Sequence, residues 1–587
     1  MLEKWMLKNI NADVKNISQK LGISEVLCRV LLNRGITDYY AAKSFIESNE
    51  KYMLNPILMK DIEKGVEIIL DSIKDKSKIA VIGDYDVDGV ISTFMLYSSL
   101  KRIGAEVIYE IPHRINDGYG INKNIIDKVL KEGAKTIITC DNGISAIEPI
   151  NYAKEKGLKV VVTDHHDVPF EERDNERVYL NSNADAIINP KQMDCSYPFK
   201  QLCGAGVVLK FIQLLYEKKG IDKKESDAFI EYAAVATVCD VVDLTGENRI
   251  IVKRGLEFIN NSKNIGLRSL IKVSGLENKK ITTYHLGFII GPCINATGRL
   301  DIAKKGVELL LTCDEYKALE YAKELVELNN ERKNMTLKGV KEVLEEIENS
   351  SLKDDKIIVV YNKEIHESIA GIIAGRIKEN YNKPTIVLTC GEECVKGSGR
   401  SIESYNIFEG LLKCSDILIK YGGHPMAAGL SLEEKNIELL RRRLNDDSNL
   451  TDEDLIRKIT LDMHLPIDKI TIEIAEELKL LEPFGKGNEK PLFGEKNVKL
   501  LRAIKIGDGN FLKFKLCNKE NIASIDGLYF GDIDEFEAFV IGKYGKDELN
   551  NLYNGLPNNI IIDVAFNLDV NEYMGYKTVQ LIIQSYR

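Results

Sequence analysis

The sequence has little cysteine: 11 residues in 587, scattered, with no CxxC pair among them. Cys390 and Cys394 come nearest, and no second pair stands at zinc-finger spacing from them. A disulfide scaffold is excluded, and the thiols read as the reduced thiols of a cytoplasmic protein. No run approaches the ~18 apolar residues of a membrane-spanning helix. Residues 1–14 hold no apolar stretch of the secretory kind, so export is not expected. Low-complexity segments and internal repeats are also missing. There is no excess of positive charge: Lys plus Arg is 80 against 90 for Asp plus Glu, a net −10. That balance speaks against a protein that coats nucleic acid non-specifically. It leaves room for a nuclease, because a metal site itself needs carboxylates.

What is present is ordinary globular material, 44% apolar and 29% charged. At roughly 150 residues per domain the chain holds three or four domains. Residues 1–75 read as short helices, with helical spacing at 21–32 and 60–73. From residue 78 the pattern alternates. Strand-like runs at 79–82, 105–111, 136–139 and 159–162 are separated by helical runs at 90–103, 122–131 and 146–156. Strand–helix alternation predicts βαβ units on a parallel sheet, an α/β fold. Residues 203–275 read as mostly helical. Residues 315–349 read as one long charged helix, a solvated connector. A second α/β pattern runs from 357 to about 445. After 461 the chain is β-rich, which suits a small barrel. The expected division is a helical segment at 1–75, a first α/β domain at 76–310, a connecting helix at 311–350, a second α/β domain at 351–450 and an OB-like barrel at 460–587.

Three polar clusters follow strands directly: Gly83-Asp84-Tyr85-Asp86-Val87-Asp88-Gly89, Cys140-Asp141-Asn142-Gly143 and Asp164-His165-His166-Asp167. The carboxyl ends of parallel strands open on one side of a doubly wound sheet, and ligands bind there. Three strands therefore deliver acids and imidazoles to one crevice. Asp84, Asp86 and Asp88 alternate along an extended loop, so two can face a metal pair while one supports from behind. Asp141 has two oxygens and can bridge two cations. His165 offers a neutral nitrogen. Such mixed oxygen and nitrogen ligands suit Mn²⁺ or Mg²⁺, and a cation pair about 3.5–4 Å apart activates water against a phosphoryl centre. A calcium loop is excluded: an EF-hand starting at Asp84 needs Glu at position twelve, where Met95 stands.

With Asp164-His165-His166 the sequence resembles the DHH phosphoesterase superfamily, and its wider pattern is similar to the RecJ exonucleases within it. The similarity is carried by residues 81–89, by Cys140-Asp141-Asn142-Gly143, by residues 236–249 around Asp240, by residues 292–300 and by residues 481–488. Gly397-Ser398-Gly399-Arg400-Ser401 and residues 422–429, which open Gly422-Gly423-His424, resemble the DHHA1 signature. The β-rich end resembles a RecJ OB-fold.

The resemblance implies a set of site residues. Asp86, Asp88, Asp141, His165 and Asp240 would hold two Mn²⁺ or Mg²⁺ ions, with Asp84 close by and Asp141 bridging. Asp243 stands as a rival to Asp240. His166 would either touch the scissile phosphate or orient His165. Ser398, Arg400, Gly422, Gly423 and His424 would receive the 5′ end of the substrate, with Arg114 and Arg299 as further phosphate contacts. Cys293 stands where the family commonly has a basic residue, which would loosen one such contact.

The implied activity is hydrolysis of single-stranded DNA from its 5′ end, releasing 5′-mononucleotides, in recombination and repair. The implied partners are a single-strand-binding protein and a RecQ-type helicase, with no membrane and a monomeric chain. The alternative is a phosphodiesterase of short oligonucleotides or cyclic dinucleotides, which residues 461–587 argue against. A non-catalytic scaffold relative would have lost the acids. A family II pyrophosphatase would carry a histidine where Ile82 stands.

Overall fold

The computed structural model describes every residue except 1–2, 11, 114–117, 119, 174–175, 301–302 and 519–522. The described chain divides into two compact units. The first comprises residues 54–242 and 251–457, and the second residues 3–53, 243–250 and 458–587. Among the described residues no helix is long and apolar enough to cross a membrane.

The first unit contains two sheets. One is all parallel, in the order Val107–Glu110, Lys78–Ile82, Ala134–Cys140, Lys159–Thr163, Ala186–Ile188. Its strands are almost wholly buried, as expected when helices cover both faces. The first strand of this sheet in sequence, Lys78–Ile82, is interior, with its successor at the edge on one side and Ala134–Cys140 on the other. The winding reverses there, so the loops after these two strands flank a natural crevice. The other sheet runs Leu418–His424, Ala427–Leu432, Val395–Arg400, Thr385–Cys390, Ile358–Tyr361. Its last two strands are parallel and the rest antiparallel. Alternate residues of Ile358–Tyr361 enter different cores: Ile358 and Val360 meet Ile369 and Ile373, while Val359 meets Ile407 and Leu440.

The long helix, Glu315–Glu348, is a packed element and not a solvated connector. Ala318, Ala322, Leu325, Asn329, Thr336, Gly339, Val343 and Ile347 are buried, a single stripe at helical spacing. The stripe lies against Ile265–Val273, Gly291–Leu300 and Glu367–Tyr381. Its abundant charge sits on the other faces and hid the stripe.

The second unit is built on a closed barrel. Phe493–Ile506 pairs with Phe511–Cys517, then in order come Ser524–Tyr529, Tyr576–Tyr586 and Ile561–Tyr573, which pairs back to the first strand. This is the five-stranded OB arrangement. The segment read as a helical prefix opens instead with a strand, Glu3–Leu7, paired to Arg457–Leu461. The helices Glu25–Asn33 and Tyr39–Glu47 follow it. Leu27, Val30, Leu31 and Ala42 share one core with Leu478, Leu481, Phe493 and Phe566. These helices are too short to be stable alone and must bury their apolar faces against something.

One buried cation joins the pieces of this unit. Arg249 is 1% exposed. Its Nε donates to the Phe45 carbonyl (3.0 Å) and to Ser48 Oγ (2.9 Å). Its Nη atoms donate to the carbonyls of Leu480 (3.0 Å), Leu481 (2.7 Å) and Glu482 (2.7 Å). Its guanidinium lies 4.0 Å from the Phe45 ring centroid. Arg249→Ala would leave several buried carbonyls without a donor, and is expected to lower stability by about 3–4 kcal/mol. Arg249→Lys should recover little, because a single ammonium cannot reproduce the fork. The sequence has 1 Trp, Trp5, and it lies in this unit, so urea denaturation followed by its fluorescence reads the loss directly. A loss under about 1 kcal/mol, the worth of one ordinary hydrogen bond, would show that the cation is dispensable.

Candidate metal centre

The loop after Lys78–Ile82 turns at once into a helix, Val87–Arg102. Asp84, Asp86 and Asp88 therefore do not alternate along an extended loop. Asp86 is the N-cap, its Oδ1 accepting the Gly89 amide at 3.0 Å. Asp88 lies in the first turn. Gly89 has no room for a side chain: a Cβ there would stand 2.4 Å from the Asp84 carbonyl oxygen. Asn295 Oδ1 accepts the Val87 amide at 3.0 Å and fixes the loop from outside. Asp88 is held by another helix start, its two oxygens accepting the amides of Gly204 (2.6 Å) and Ala205 (2.7 Å). That is a favourable place for a carboxylate.

Asp141 follows Ala134–Cys140 in the left-handed region, at φ 60. Such a conformation is costly for a residue with a Cβ and tends to mark functional sites. Its neighbour Asn142 holds it there: Nδ2 donates to the carbonyls of Ile82 (3.1 Å) and Cys140 (2.9 Å), and Oδ1 accepts the Ile121 amide (3.1 Å). Gly204 approaches Asp141 so closely that a Cβ would stand 2.7 Å from the Asp141 Cβ.

Asp164 ends Lys159–Thr163 and organises both histidines. Its Oδ1 accepts the amides of His165 (2.7 Å) and His166 (3.1 Å) and lies 2.8 Å from His166 Nδ1. Its Oδ2 accepts the Ile144 amide at 2.8 Å. His165 Nε2 faces Asp141 Oδ1 at 3.1 Å, and Asp88 Oδ2 and Asp240 Oδ2 at 3.7 Å each. Asp240 caps the C-terminus of Ile230–Cys239.

These side chains form three overlapping groups, each with its donor atoms within 4.8 Å of one another: Asp84, Asp86 and Asp141; Asp88, His165 and Asp240; and Asp141, His165 and His166. Asp141 joins the first and third, His165 the second and third. His165 Nε2 and Asp240 Oδ2 are buried without a hydrogen-bond partner. Buried polar atoms rarely stay so. A set of carboxylate oxygens with one imidazole nitrogen fits hard divalent cations. Without a cation the acids repel one another. Burial, then the charge of Asp86, pushes Asp84 up to about 8 and Asp88 up to about 7. Burial, then Asp88, pushes Asp240 up to about 8. Burial and the surrounding acids hold Asp141 well above the usual carboxylate range.

The two histidines differ. Burial, then the charge of His166, lowers His165 to about 3, so its nitrogen stays neutral. Burial alone would lower His166 too, but the hydrogen bond and charge of Asp164 outweigh it and raise His166 to about 9. Burial would likewise raise Asp164, and the hydrogen bond and charge of His166 bring it down to about 2.

Other expected residues are more scattered. Asp243 is in the second unit, 3.6 Å from Lys486 Nζ, while Asp240 is in the first. Arg114 lies outside the described residues. Arg299 donates through Nη1 to the Ser368 carbonyl at 2.6 Å. Cys293 is buried against the long helix, where Asn329 Nδ2 donates to its sulfur at 3.5 Å. Gly422, Gly423 and His424 end an exposed strand that pairs with Ala427–Leu432. Arg400 Nη1 donates to the Gly399 carbonyl (2.8 Å) and to Ser398 Oγ (3.3 Å). Ser398, Gly422 and Gly429 nevertheless line an open cleft of about 440 Å³ together with Tyr85 of the acidic loop and Ser368. Asn142, Asp164 and Asn295 were not picked out as functional by sequence reasoning. The available signal was their place in the polar clusters after the strands, for Asn142 and Asp164, and in residues 292–300, for Asn295.

A parallel sheet that gathers aspartates and a His-His pair at its switch point, joined to a second sheet across a cleft, defines a DHH-type phosphoesterase. Residues 78–237 match the DHH family, N-terminal domain; residues 354–447 match the DHHA1 domain; residues 461–585 match the RecJ OB domain. The single-stranded-DNA-specific exonuclease RecJ of Bacillus subtilis is 35% identical over 559 residues, covering 93% of this chain and 69% of that one. RecJ of Escherichia coli is 31% identical over 581 residues, 95% of each chain. The crystal structure of Thermus thermophilus RecJ in complex with Mn²⁺ superposes with a TM-score of 0.82 at 26% identity, covering all of this chain and 79% of that one. The chain belongs to the RecJ family.

The raised acids predict proton release. Near pH 7 the metal-free centre retains protons that a bound cation displaces. Calorimetric titration with Mn²⁺ in buffers of different ionisation enthalpy should therefore show net proton release, falling as the pH rises past about 8. The same shifts make the metal-free protein less stable as pH rises from about 4 to 8, because its folded state binds more protons than its unfolded state there. Heats independent of buffer would show that the acids are already ionised.

Proposed function

We propose that this chain is a metal-dependent 5′→3′ exonuclease specific for single-stranded DNA, releasing 5′-mononucleotides in recombination and repair. The observation that carries it is the cleft of about 440 Å³, which has the acidic loop at Tyr85 on one side and Ser398, Gly422 and Gly429 on the other. A strand entering there presents its phosphates to the acids while the second sheet meets its end. The OB barrel supports the reading, since such barrels stack bases and track a backbone.

Asp86, Asp88, Asp141, His165 and Asp240 would hold two Mn²⁺ or Mg²⁺ ions, which would supply Lewis acidity and lower the pKa of a bound water. The chain's own groups do the rest. Asp88, tied to two helix amides, holds its place without rearrangement. His165 stays neutral and keeps a lone pair available. His166, protonated and 43% exposed at its side chain, donates to a phosphate oxygen. Asp164 keeps it protonated and fixes its ring. Ser398 and Arg400 meet the 5′ terminal phosphate. The barrel unit's scattered pieces, residues 3–53 among them, act as one nucleic-acid-binding domain. Within the family reading the chain is monomeric and cytoplasmic, and works with a single-strand-binding protein and a RecQ-type helicase.

The test uses 3′-labelled, 5′-phosphorylated single-stranded DNA, duplex DNA and a dinucleotide, each with Mn²⁺ or EDTA. Metal-dependent shortening of the single strand from its 5′ end is expected, with the duplex spared. Cleavage of the dinucleotide alone would move the chain to the small-substrate phosphodiesterases. Asp240→Asn should lower kcat by roughly 10³-fold or more, a loss on the scale of one key electrostatic group. Asp243→Asn should stay within about threefold, as a half-exposed ion pair contributes little. The reverse ranking would assign the fourth acid to Asp243.

A further inference from the structure

One exposed feature near the centre is unused by this mechanism. The chain from Thr283 to Leu300 is a short helical turn, a π-turn at Leu286–Ile290 and a helix at Gly291–Leu300. Isolated π-turns occur often at functional sites. Leu286 and Ile290 point inward, and the Leu286 carbonyl accepts the Cys239 thiol at 3.5 Å. Cys239 immediately precedes Asp240. The π-turn is thus fastened to the end of the helix that presents that acid.

On the outer side, Tyr284 and Phe288 are 60% and 66% exposed. Their rings are stacked, with centroids 5.1 Å apart and planes at 27°. His285 accepts the Thr282 amide through Nδ1 at 3.0 Å and steadies the first turn. Among the described residues, no other large apolar side chain between 242 and 315 is exposed. The surroundings favour a polyanion. Residues 278–300 contain no Asp or Glu in a chain with 90 of them, and they do contain Lys279, Lys280 and Arg299.

We propose that Tyr284 and Phe288 form a stacking platform for a nucleobase of the single strand, beside the metal centre on the Asp240 side. The proposal rests on the exonuclease reading above. Two rings are far too little for a protein interface, which needs about 800 Å² from each partner. They are enough for a base, which needs one flat face and accepts it without regard to sequence. The lysines before the platform suit the backbone on either side of that base.

The test measures equilibrium binding of the holoenzyme, with Mn²⁺ present, to a single strand made resistant by phosphorothioate linkages. The Tyr284→Ala/Phe288→Ala variant should bind about 5- to 100-fold more weakly, and Tyr284→Phe should bind as the parent does. Both side chains are exposed, so folding is spared. A single abasic residue walked along the strand should weaken the parent at one register by the same factor and leave the double variant unmoved there. If the variant loses as much affinity for a wholly abasic strand, or none for the normal strand, the platform is wrong while the exonuclease reading stands. If the parent binds no single strand at all, that reading falls and the platform with it. A parent that sediments as a dimer and a variant that sediments as a monomer would assign the rings to self-association and overturn the platform.

Discussion

Five carboxylates confined around one neutral imidazole are the constraint the rest of the first unit serves. Asp84, Asp88 and Asp141 are each almost fully buried. Grouped this closely, carboxylates disfavour one another's charge, so no folded chain gathers them without compensation. Part of that compensation is backbone. Asp86 caps its own helix, Asp88 sits on the first amides of Gly204–Lys218, and Asp84 Oδ1 accepts the Gly120 amide at 3.3 Å. The remainder is chemistry that a divalent cation supplies. A parallel sheet suits this arrangement because its strand ends bring distant parts of the chain to one edge at fixed spacing.

The second unit solves a different problem. Its pieces come from both ends of the chain and from eight residues in the middle, 243–250. A five-stranded barrel of this size leaves apolar surface at its margin. The helices at 25–33 and 39–47 cover some of it, through Leu27, Leu31 and Ala42. Arg249 supplies donors to carbonyls that this packing removes from water. A buried guanidinium is expensive unless all its donors are used, and here each nitrogen has a partner.

Much of the catalytic unit was legible because its signals are local. A short apolar run followed by an aspartate-bearing polar cluster marks a strand end, and three such ends in alternating βαβ context place the crevice. The β-rich character after 461 was legible too, as a local change of pattern. What was not legible depends on contacts far apart in sequence. Nothing near Asp88 says that its carboxylate will meet the amides of residues 204 and 205. Asp240 and Asp243 are three residues apart and chemically alike, and only the chain reversal at Val241, φ 56, sends them to different units. The strand at Glu3–Leu7 opens with two charged residues and pairs with a partner about 450 residues away. The long helix looked solvated because charge fills three of its faces.

His165 and His166 carry the argument furthest. They are adjacent, identical in composition, and held by one carboxylate, yet one stays neutral and the other charged. The difference is direction. Their rings lie close, with centroids 4.4 Å apart, but meet different surroundings. His165 is turned into the acids, nearly buried, and there burial dominates. His166 is turned outward with Asp164 at Nδ1, and there the carboxylate dominates. The charge on His166 then helps to keep His165 neutral, so the two states are linked. One strand end thus presents a neutral nitrogen and a charged N–H side by side, two states that a single histidine cannot hold at one pH. Asp164 makes that division possible without being part of either group.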